Sequence, residues 1–242
     1  MTSLLRFLAP WALLAAVFAF APFVFPSNFA LTTMSLIGVN IIFALSFNIL
    51  LGQSGLLSFG HAVFFGLGGF VAIHALNAAV KAKAGLPLPL FPLIGGLGGL
   101  VFGLLFGLVA CRKGGTVFSM ISLGIGELVS SSSYILRSFF GGEEGIAANR
   151  TKAEPFFGHK FGPQIEVYYL TAIWCFVVIM AIYALTRTPL GRMWNAAREN
   201  PERVEFIGYR LETLRFYAFV FAAAFAGVGG GLSAIDFEIM NA

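Results

Sequence analysis

Residues 52–70 read GQSGLLSFGHAVFFGLGGF and mix six glycines with Gln53, Ser54, Ser58 and His61. Each glycine weakens a helix by up to about 1 kcal/mol relative to alanine, and polar groups in hydrocarbon need hydrogen-bond partners. The stretch is therefore a poor candidate for a uniform lipid-facing helix. Two interpretations remain open: a broken or re-entrant helix that lines a pathway, or an interfacial turn followed by a glycine-rich packed helix.

The sequence on both sides of this stretch is that of a membrane protein. The 242 residues are 58% hydrophobic and 11% charged, with a mean hydropathy of +0.88. A helix of about 20 apolar residues crosses a bilayer, and seven segments approach this length, at residues 7–25, 31–51, 56–78, 90–110, 116–139, 168–186 and 216–235. We predict an all-α polytopic membrane protein with about seven transmembrane helices, in which residues 1–242 form a single transmembrane domain.

The first segment has a second interpretation, because an apolar run before Ala19 and Ala21 is also typical of a signal peptide. Pro22 follows directly and is a poor context for cleavage, so a retained first span is preferred. With the N-terminus in the cytoplasm, nine lysines and arginines fall on the inner side and six on the outer side. This excess agrees with the positive-inside rule.

Several classes of function are not predicted. The net charge is +4, but the arginines mostly flank apolar segments, as topology signals do, so nucleic-acid binding is not expected. Cys111 and Cys175 lie far apart and indicate neither a disulfide framework nor a metal site. No Walker loop, HExxH or GxSxG motif occurs. We therefore expect no catalytic residues, no metal and no cofactor bound by this chain.

Charge is concentrated in residues 187–215, which we predict to be a cytoplasmic loop. Its charges are Arg187, Arg192, Arg198, Arg203, Arg210, Arg215, Glu199, Glu202, Glu205 and Glu212. Asn200 is a good N-cap, Pro201 suits the first helical position, and Gly208 can end the helix. A helix of about two turns needs a partner surface to be stable. Val204 and Ile207 would share its apolar face; the alternative is a solvated topology loop.

Glu127 is the only acidic residue well inside a predicted span. Because a carboxylate in lipid is costly, we expect it to face the protein interior, in a transport role or a structural one. Its expected partners are either the nearby serines Ser122, Ser130 and Ser131 or the polar residues Gln53, Ser54 and His61.

Two small-residue stripes predict how the spans pack. Gly95, Gly99, Gly103 and Gly107 recur every four residues on the fourth span, and Ala223, Gly227 and Gly231 do so on the last. Such stripes let helices approach closely where lipid removes the hydrophobic drive to associate. We interpret them as packing surfaces rather than as substrate contacts.

These motifs together resemble a known family. GQSGLLSFGHAVFFGLGGF is similar to the signature G-x-x-S-x-G-H-A-x-F-F-G-x-G-A-Y of the permeases of bacterial branched-chain amino acid ABC importers, in particular the LivM-like subunit. The stretch from TPLGRMWNAARENPERVEFIGYR through the following span resembles that family's cytoplasmic coupling loop. SLGIGELV and GGEEGI match two further family stretches in order, and the resemblance covers most of residues 31–235.

The resemblance implies a partner set and a site. The permease would form half of a translocation pathway with a second, LivH-like permease subunit in the bacterial inner membrane, surrounded by lipid. Two cytoplasmic subunits would hydrolyse ATP with Mg²⁺, and a periplasmic protein would deliver the substrate. The ATPase-coupling residues would be Arg198, Glu199, Asn200, Pro201, Glu202, Arg203, Val204, Glu205, Ile207 and Gly208. The translocation pathway would include Gln53, Ser54, Ser58, His61 and Glu127, with His61 and Gln53 at or near the subunit interface.

The sequence also departs from the family pattern. Glu205 stands where the family usually has alanine, and Phe70 where it has tyrosine. The sequence given ends at SAIDFEIMNA, where the family continues with an outer loop and further spans. We therefore expect a shortened subunit or a C-terminal part that lies elsewhere. The alternatives are a secondary transporter or channel for a small polar solute, a urea- or amide-specific ABC permease, and a non-transporting membrane scaffold.

Overall fold

The computed structural model describes residues 2–156 and 159–241, and the side chains of all of these except residues 2–8 and 143. The α-helices are α1 (Thr2–Val24), α2 (Asn28–Asn48), α3 (Ala62–Ala82), α4 (Phe91–Ala110), α5 (Gly115–Ile135), α6 (Arg137–Phe140), α7 (Gln164–Arg187), α8 (Pro189–Glu199), α9 (Pro201–Phe206) and α10 (Leu211–Phe237). A π-helical turn (Ile49–Gln53) continues α2, and short 3₁₀ turns cover Leu88–Leu90, Gly142–Glu144 and Arg150–Lys152. Two short strands, β1 (Ile146–Ala147) and β2 (Ile239–Met240), pair antiparallel.

The long helices overlap all seven predicted apolar segments. Among the described residues, five stretches are long and apolar enough to cross a membrane: Asn28–Gln53, Ala62–Ala82, Leu88–Ala110, Gln164–Arg187 and Leu211–Phe237. The apolar part of α1, Ala9–Val24, is shorter, and α5 carries Glu127 and a run of serines. The all-α polytopic membrane class is confirmed, while the number of seven spans stays a prediction.

Helix α10 forms the centre of the bundle. In its most apolar stretch 78% of the residues are buried, against 39–44% in the other four spanning helices. It packs most extensively against α4, α3 and α2, and α7 covers α2 on the outside. Because α10 is surrounded by protein, its apolar stretch can carry apolar side chains on all sides.

The glycine stripes of α4 and α10 face each other and let the two backbones touch. A Cβ atom at Gly95 would lie 2.7 Å from the carbonyl oxygen of Gly227. One at Gly99 would overlap the carbonyl oxygen of Ala223, and Gly103 lies against the same alanine. As the contacting residue numbers rise along α4, those of their partners on α10 fall, so the two helices are antiparallel. Small residues at these positions are what allows this close approach.

The end of α10 near β2 is tied to the polar segment 141–163. The Arg150 guanidinium donates to the carbonyl oxygens of Phe161 and Asp236, both at 3.0 Å, and to Gln164 Oε1 at 3.0 Å. The backbone N–H of Arg150 donates to a Glu238 carboxylate oxygen at 2.9 Å. This end of the bundle lies opposite to α8 and α9, because α10 starts beside α9 and ends at β2.

Candidate functional site: the connector and the charged loop

Residues 49–61 form an irregular link between α2 and α3, which we call the connector. It begins with the π-helical turn, after which Leu56 N donates to the Leu50 carbonyl at 2.9 Å and closes a wide turn. Gly55 adopts φ +68°, a conformation that glycine reaches without strain. Regular helix resumes only at Ala62. Of the two interpretations, the structure has the turn followed by a glycine-rich packed helix, because the irregular backbone lies between two long helices rather than inside one.

The connector is held on one side by α5. Ser119 Oγ donates to the Leu57 carbonyl at 2.7 Å, and Phe59 N donates to Ser122 Oγ at 3.0 Å. A side chain at Gly60 would collide with the carbonyl oxygen of Ser122. Non-helical backbone in a buried position needs such partners, and the α5 serines provide them.

On its other side the connector is held by α8. Asn195 Nδ2 donates to Gln53 Oε1 at 2.8 Å, and the Arg198 guanidinium donates to the Gly52 carbonyl. A Cβ atom at Gly55 would lie 2.8 Å from Arg198 Cγ, so this glycine makes room for the arginine stem. Of the predicted pathway residues, Gln53 therefore contacts the charged loop.

His61 was expected, with Gln53, at or near the subunit interface, and Ser58 among the pathway residues; the structure places His61 and Ser58 inside this chain instead of on its surface. His61 is 2% exposed and Ser58 4%. The His61 Nε2 lies 2.9 Å from Ser46 Oγ, and its ring packs beside those of Phe43 and Phe47. Both side chains thus lie in the interior of this chain, and the connector turns the His61 ring inward against α2. Ser54 is half-buried, and its hydroxyl donates to the Leu50 carbonyl at 2.8 Å.

Helix α8 is the part of the charged loop that anchors it to the bundle. Thr188 caps the helix by accepting from Gly191 N at 3.3 Å. Trp194 is fully buried, and its indole N–H donates to the Leu214 carbonyl at 2.9 Å. The sequence motifs pointed to neither Trp194 nor Asn195. A single tryptophan in an otherwise charged loop is the signal that could have revealed this anchor.

Helix α9 forms where the cap residues predict it. Asn200 Oδ1 accepts from Arg203 N at 3.0 Å, Pro201 is the first helical residue, and Gly208 has φ +92° beyond the end. The charged side chains of this segment are exposed. The one ion pair recorded here, Arg210 to Glu212 at 3.8 Å, is exposed and contributes little.

The predicted apolar face of α9 is wrong in one position. Val204 is 1% exposed and belongs to the buried cluster of Trp194, so it holds α9 onto the bundle. The exposed apolar side chains are Phe206 at 90%, Ile207 at 68% and Tyr209 at 51%. In so short a helix Val204 and Ile207 do not share a face, because Ile207 already lies beyond the last helical residue.

Glu127 was expected in the protein interior, and in this chain it is exposed. Ser122 faces the connector instead, and Ser130 and Ser131 are exposed beside Glu127. Across the described residues no hydrogen bond or ion pair to the Glu127 carboxylate is formed. We call the exposed side of α5 the α5 face, defined by Met120, Gly124, Glu127, Ser131 and Tyr134. These residues recur every three or four positions and so form one stripe.

In the described part of the chain, no group of three histidine, cysteine, aspartate or glutamate side chains is placed to hold a metal ion. Cys111 and Cys175 are both buried and unlinked. Burial raises the pKa of the Cys111 thiol to about 12, and the nearby Arg215 charge offsets this only in part.

Comparisons with known proteins identify the family of the sequence. The family described as "Branched-chain amino acid transport system / permease component" matches residues 29–242. The high-affinity branched-chain amino acid transport system permease protein LivM of Escherichia coli K12 is 30% identical over 217 residues, or 81% of this chain and 50% of that protein. LivM of Salmonella typhimurium LT2 is 30% identical over 244 residues, or 92% of this chain and 56% of that protein.

The chain thus spans about half the length of these curated relatives, and no solved structure matches it. The match to the family extends from α2 to β2 and includes the connector, the α5 face and the charged loop. A bundle of apolar helices with this match is a multi-pass membrane protein. The chain belongs to the family of branched-chain amino acid transport permeases.

Proposed function

We propose that the chain is a membrane permease subunit of an ATP-driven importer for branched-chain or other hydrophobic amino acids. In this proposal it forms half of the translocation pathway, spans the bacterial inner membrane with its N-terminus in the cytoplasm, and acts as one transmembrane permease domain over residues 1–242. It binds no cofactor itself; ATP and Mg²⁺ belong to two cytoplasmic ATPase subunits. A periplasmic binding protein delivers substrate at the end that carries β1 and β2.

The observation that carries the proposal is the exposed apolar group on the charged loop. Phe206, Ile207 and Tyr209 project from a segment whose other side is fixed to the bundle by Val204 and Trp194. An aromatic and aliphatic anchor on a rigid support is typical of the centre of a protein interface. The exposed charges around it, such as Arg203 and Glu205, fit a polar rim that sets register. We propose that these side chains insert into a groove on the ATPase subunit.

The second partner is a LivH-like permease subunit, which we place against the α5 face. A carboxylate and several serines are costly against acyl chains, and the described residues give Glu127 no partner within this chain. A polar, partly hydrated seam between two permease subunits would remove that cost. Glu127 then faces the pathway, with Gln53 and Ser54 near the end of the seam closest to the charged loop.

Co-purification tests the docking of the ATPase. Phe206→Asp combined with Ile207→Asp should release the ATPase subunits and abolish ATP-dependent uptake, because the two most exposed anchors become charged. The membrane subunit should stay folded, since neither side chain is buried. Glu212→Ala, an exposed change at the start of α10, is the matched control and should retain both ATPase binding and ATP-dependent uptake.

Normal ATPase binding and uptake by the double variant would contradict the docking role. Uptake that needs an ion gradient and no ATPase would favour a secondary transporter. Co-purification with a second permease but no uptake of any solute would favour a scaffold. Uptake of urea or amides rather than of amino acids would keep the family and change the substrate.

A further inference from the structure

The connector touches the charged loop and α5 through separate sets of contacts. On the loop side, Asn195 bonds the Gln53 side chain and Arg198 bonds the Gly52 carbonyl. On the α5 side, Ser119 and Ser122 bond the backbone of residues 57 and 59. The two sets lie within eight residues of chain, with Gly55 between them. A displacement at one set is therefore transmitted to the other through a short piece of backbone.

The loop side of this link is stiff. Arg198 donates directly to a backbone carbonyl, and its stem fills the space left by the missing side chain of Gly55. Trp194 fixes the same helix to α10 one turn earlier. Helix α8 thus behaves as a rigid arm, and a movement of α9 would reach the π-helical turn through Arg198 and Asn195.

The α5 side is less tightly packed than the glycine seam of α4 and α10. Phe118, fully buried against Phe219 of α10, anchors the first turns of α5, and the rest of the helix packs only lightly against α3 and α4. Its specific polar bonds to the rest of the bundle run to the connector. The irregular backbone of residues 54–61 has no helical hydrogen-bond ladder to resist bending, and the π-helical turn before it is of a kind often found at functional sites.

We infer that the connector transmits movement of the charged loop to α5, and that Asn195 and Arg198 are the positioning residues that make this link. The inference rests on the proposed function, because it assigns the step between ATPase docking and the opening of the pathway. Asn195 and Arg198 act through their bonds to Gln53 and to the Gly52 carbonyl of the connector. Their substitution separates ATP hydrolysis from transport instead of abolishing either one directly.

The test uses the complete importer, reconstituted in lipid vesicles with its second permease, ATPases and binding protein. Leucine uptake and ATP hydrolysis are measured together for Asn195→Ala and for Arg198→Ala. Asn195→Ala should retain ATPase co-purification and hydrolysis, and in both variants uptake per ATP should fall roughly 5-fold or more, the lower end of typical coupling between sites. Arg192→Ala removes an exposed arginine from the same helix and should leave the ratio unchanged.

The two ends of the link are checked separately. Ser122→Ala should lower uptake per ATP in the same way, whereas Ser132→Ala, which removes a hydroxyl that bonds the Leu128 carbonyl of its own helix, should not. Gln53→Ala and Asn195→Ala remove the same hydrogen bond, so the double variant should be no worse than either single variant. Melting temperatures near that of the wild type exclude a merely structural effect on the ratio.

An unchanged ratio of uptake to ATP hydrolysis in Asn195→Ala, Arg198→Ala and Ser122→Ala would overturn the inference. So would a parallel loss of ATPase binding and uptake, because the residues would then serve only to shape the docking surface. A wild-type complex without ATP-dependent uptake would instead contradict the proposed function, and the two failures are therefore distinguishable.

Discussion

The seam between α4 and α10 and the α5 face use small and polar residues in opposite ways. In the seam, glycine brings backbone against backbone, and Gly95, Gly99 and Gly227 leave no space for a methyl group. On the α5 face, a Cβ atom added at Gly124 would meet no other atom within 4 Å, and Glu127 stands exposed. The same residue types thus produce a tight contact in one place and an uncovered polar surface in the other.

The difference indicates how rigidity is distributed in the bundle. Lipid gives helices no hydrophobic reason to associate, so close backbone packing supplies the attraction in the seam. Helix α5 lacks such a seam and is attached through hydrogen bonds to the connector and through Phe118, which is fully buried against Phe219 of α10. A tightly packed centre around α10 and a more lightly packed helix at its edge would suit the sliding of packed helices seen in conformational change.

The largest expected effect comes from filling the seam. Gly227→Leu would drive a side chain into the backbone of Gly95, and we expect no monodisperse protein after detergent extraction. Even Gly227→Ala should lower the melting temperature, at a cost of about 1–3 kcal/mol typical of overpacking. Gly124→Leu is the matched control on α5 and should leave folding intact. If Gly227→Leu and Gly124→Leu gave the same yield of monodisperse protein, the α4–α10 seam would be no more tightly packed than the α5 face.

The same contrast between a packed and an exposed position recurs at the short helix α9 and the residue that follows it. Val204→Asp buries an unpaired charge beside Trp194, and we expect it to cost about 3–5 kcal/mol and to detach the loop. Ile207→Asp, at an exposed position, should leave the loop folded. Limited proteolysis within residues 187–215 measures the difference. Comparable cleavage of the two variants would show that Val204 does not anchor the loop.

The α5 face is tested by removing its charge without changing its shape. Glu127→Gln should reduce uptake roughly 10-fold, since a hydrogen bond to a charged group is worth about 1.5–3 kcal/mol. The melting temperature should stay near that of the wild type, because the carboxylate is exposed in this chain. Glu144→Gln, an exposed acid outside the predicted spans, is the control. Full uptake by Glu127→Gln would exclude a pathway role for this residue.

Local rules were sufficient for part of this structure. The apolar segments predicted the long helices, and Asn200, Pro201 and Gly208 predicted α9, because capping depends on neighbours in sequence. The direction of side chains was not predictable in the same way. Val204 turned inward because of contacts with α8 and α10, which no local pattern encodes.

The polar residues of the connector and α5 show the same limit at longer range. His61 was expected at an interface and is buried, while Glu127 was expected inside and is exposed. Their positions depend on bonds such as Phe59 to Ser122 and Asn195 to Gln53, between residues 63 and 142 apart in sequence. The hydrophobic periodicity and the composition of a segment indicate that a polar residue needs a partner, but they do not indicate which helix or loop provides it.

The smallest expected effect is that the two natural cysteines do not react with a thiol label. A cysteine introduced on the α5 face can then be labelled without background. Cys111 and Cys175 are 2% and 0% exposed. The Cys111 pKa of about 12 leaves almost no thiolate at neutral pH, and the thiolate is the reactive form. A membrane-permeant maleimide should therefore leave the wild-type chain unmodified.

Gly124→Cys then provides a single reactive site on the α5 face, since a side chain there meets open space. We expect it to react when the chain is alone, through its exposed thiol, and to be protected when the second permease subunit is present. Labelling is measured by the mass of the intact protein. Tyr134→Cys lies at the far end of the same stripe. It should behave like Gly124→Cys if the whole α5 face lies in the interface with the second permease subunit. Unaltered labelling of both cysteines in the assembled importer would place the second subunit elsewhere and leave the α5 face against lipid.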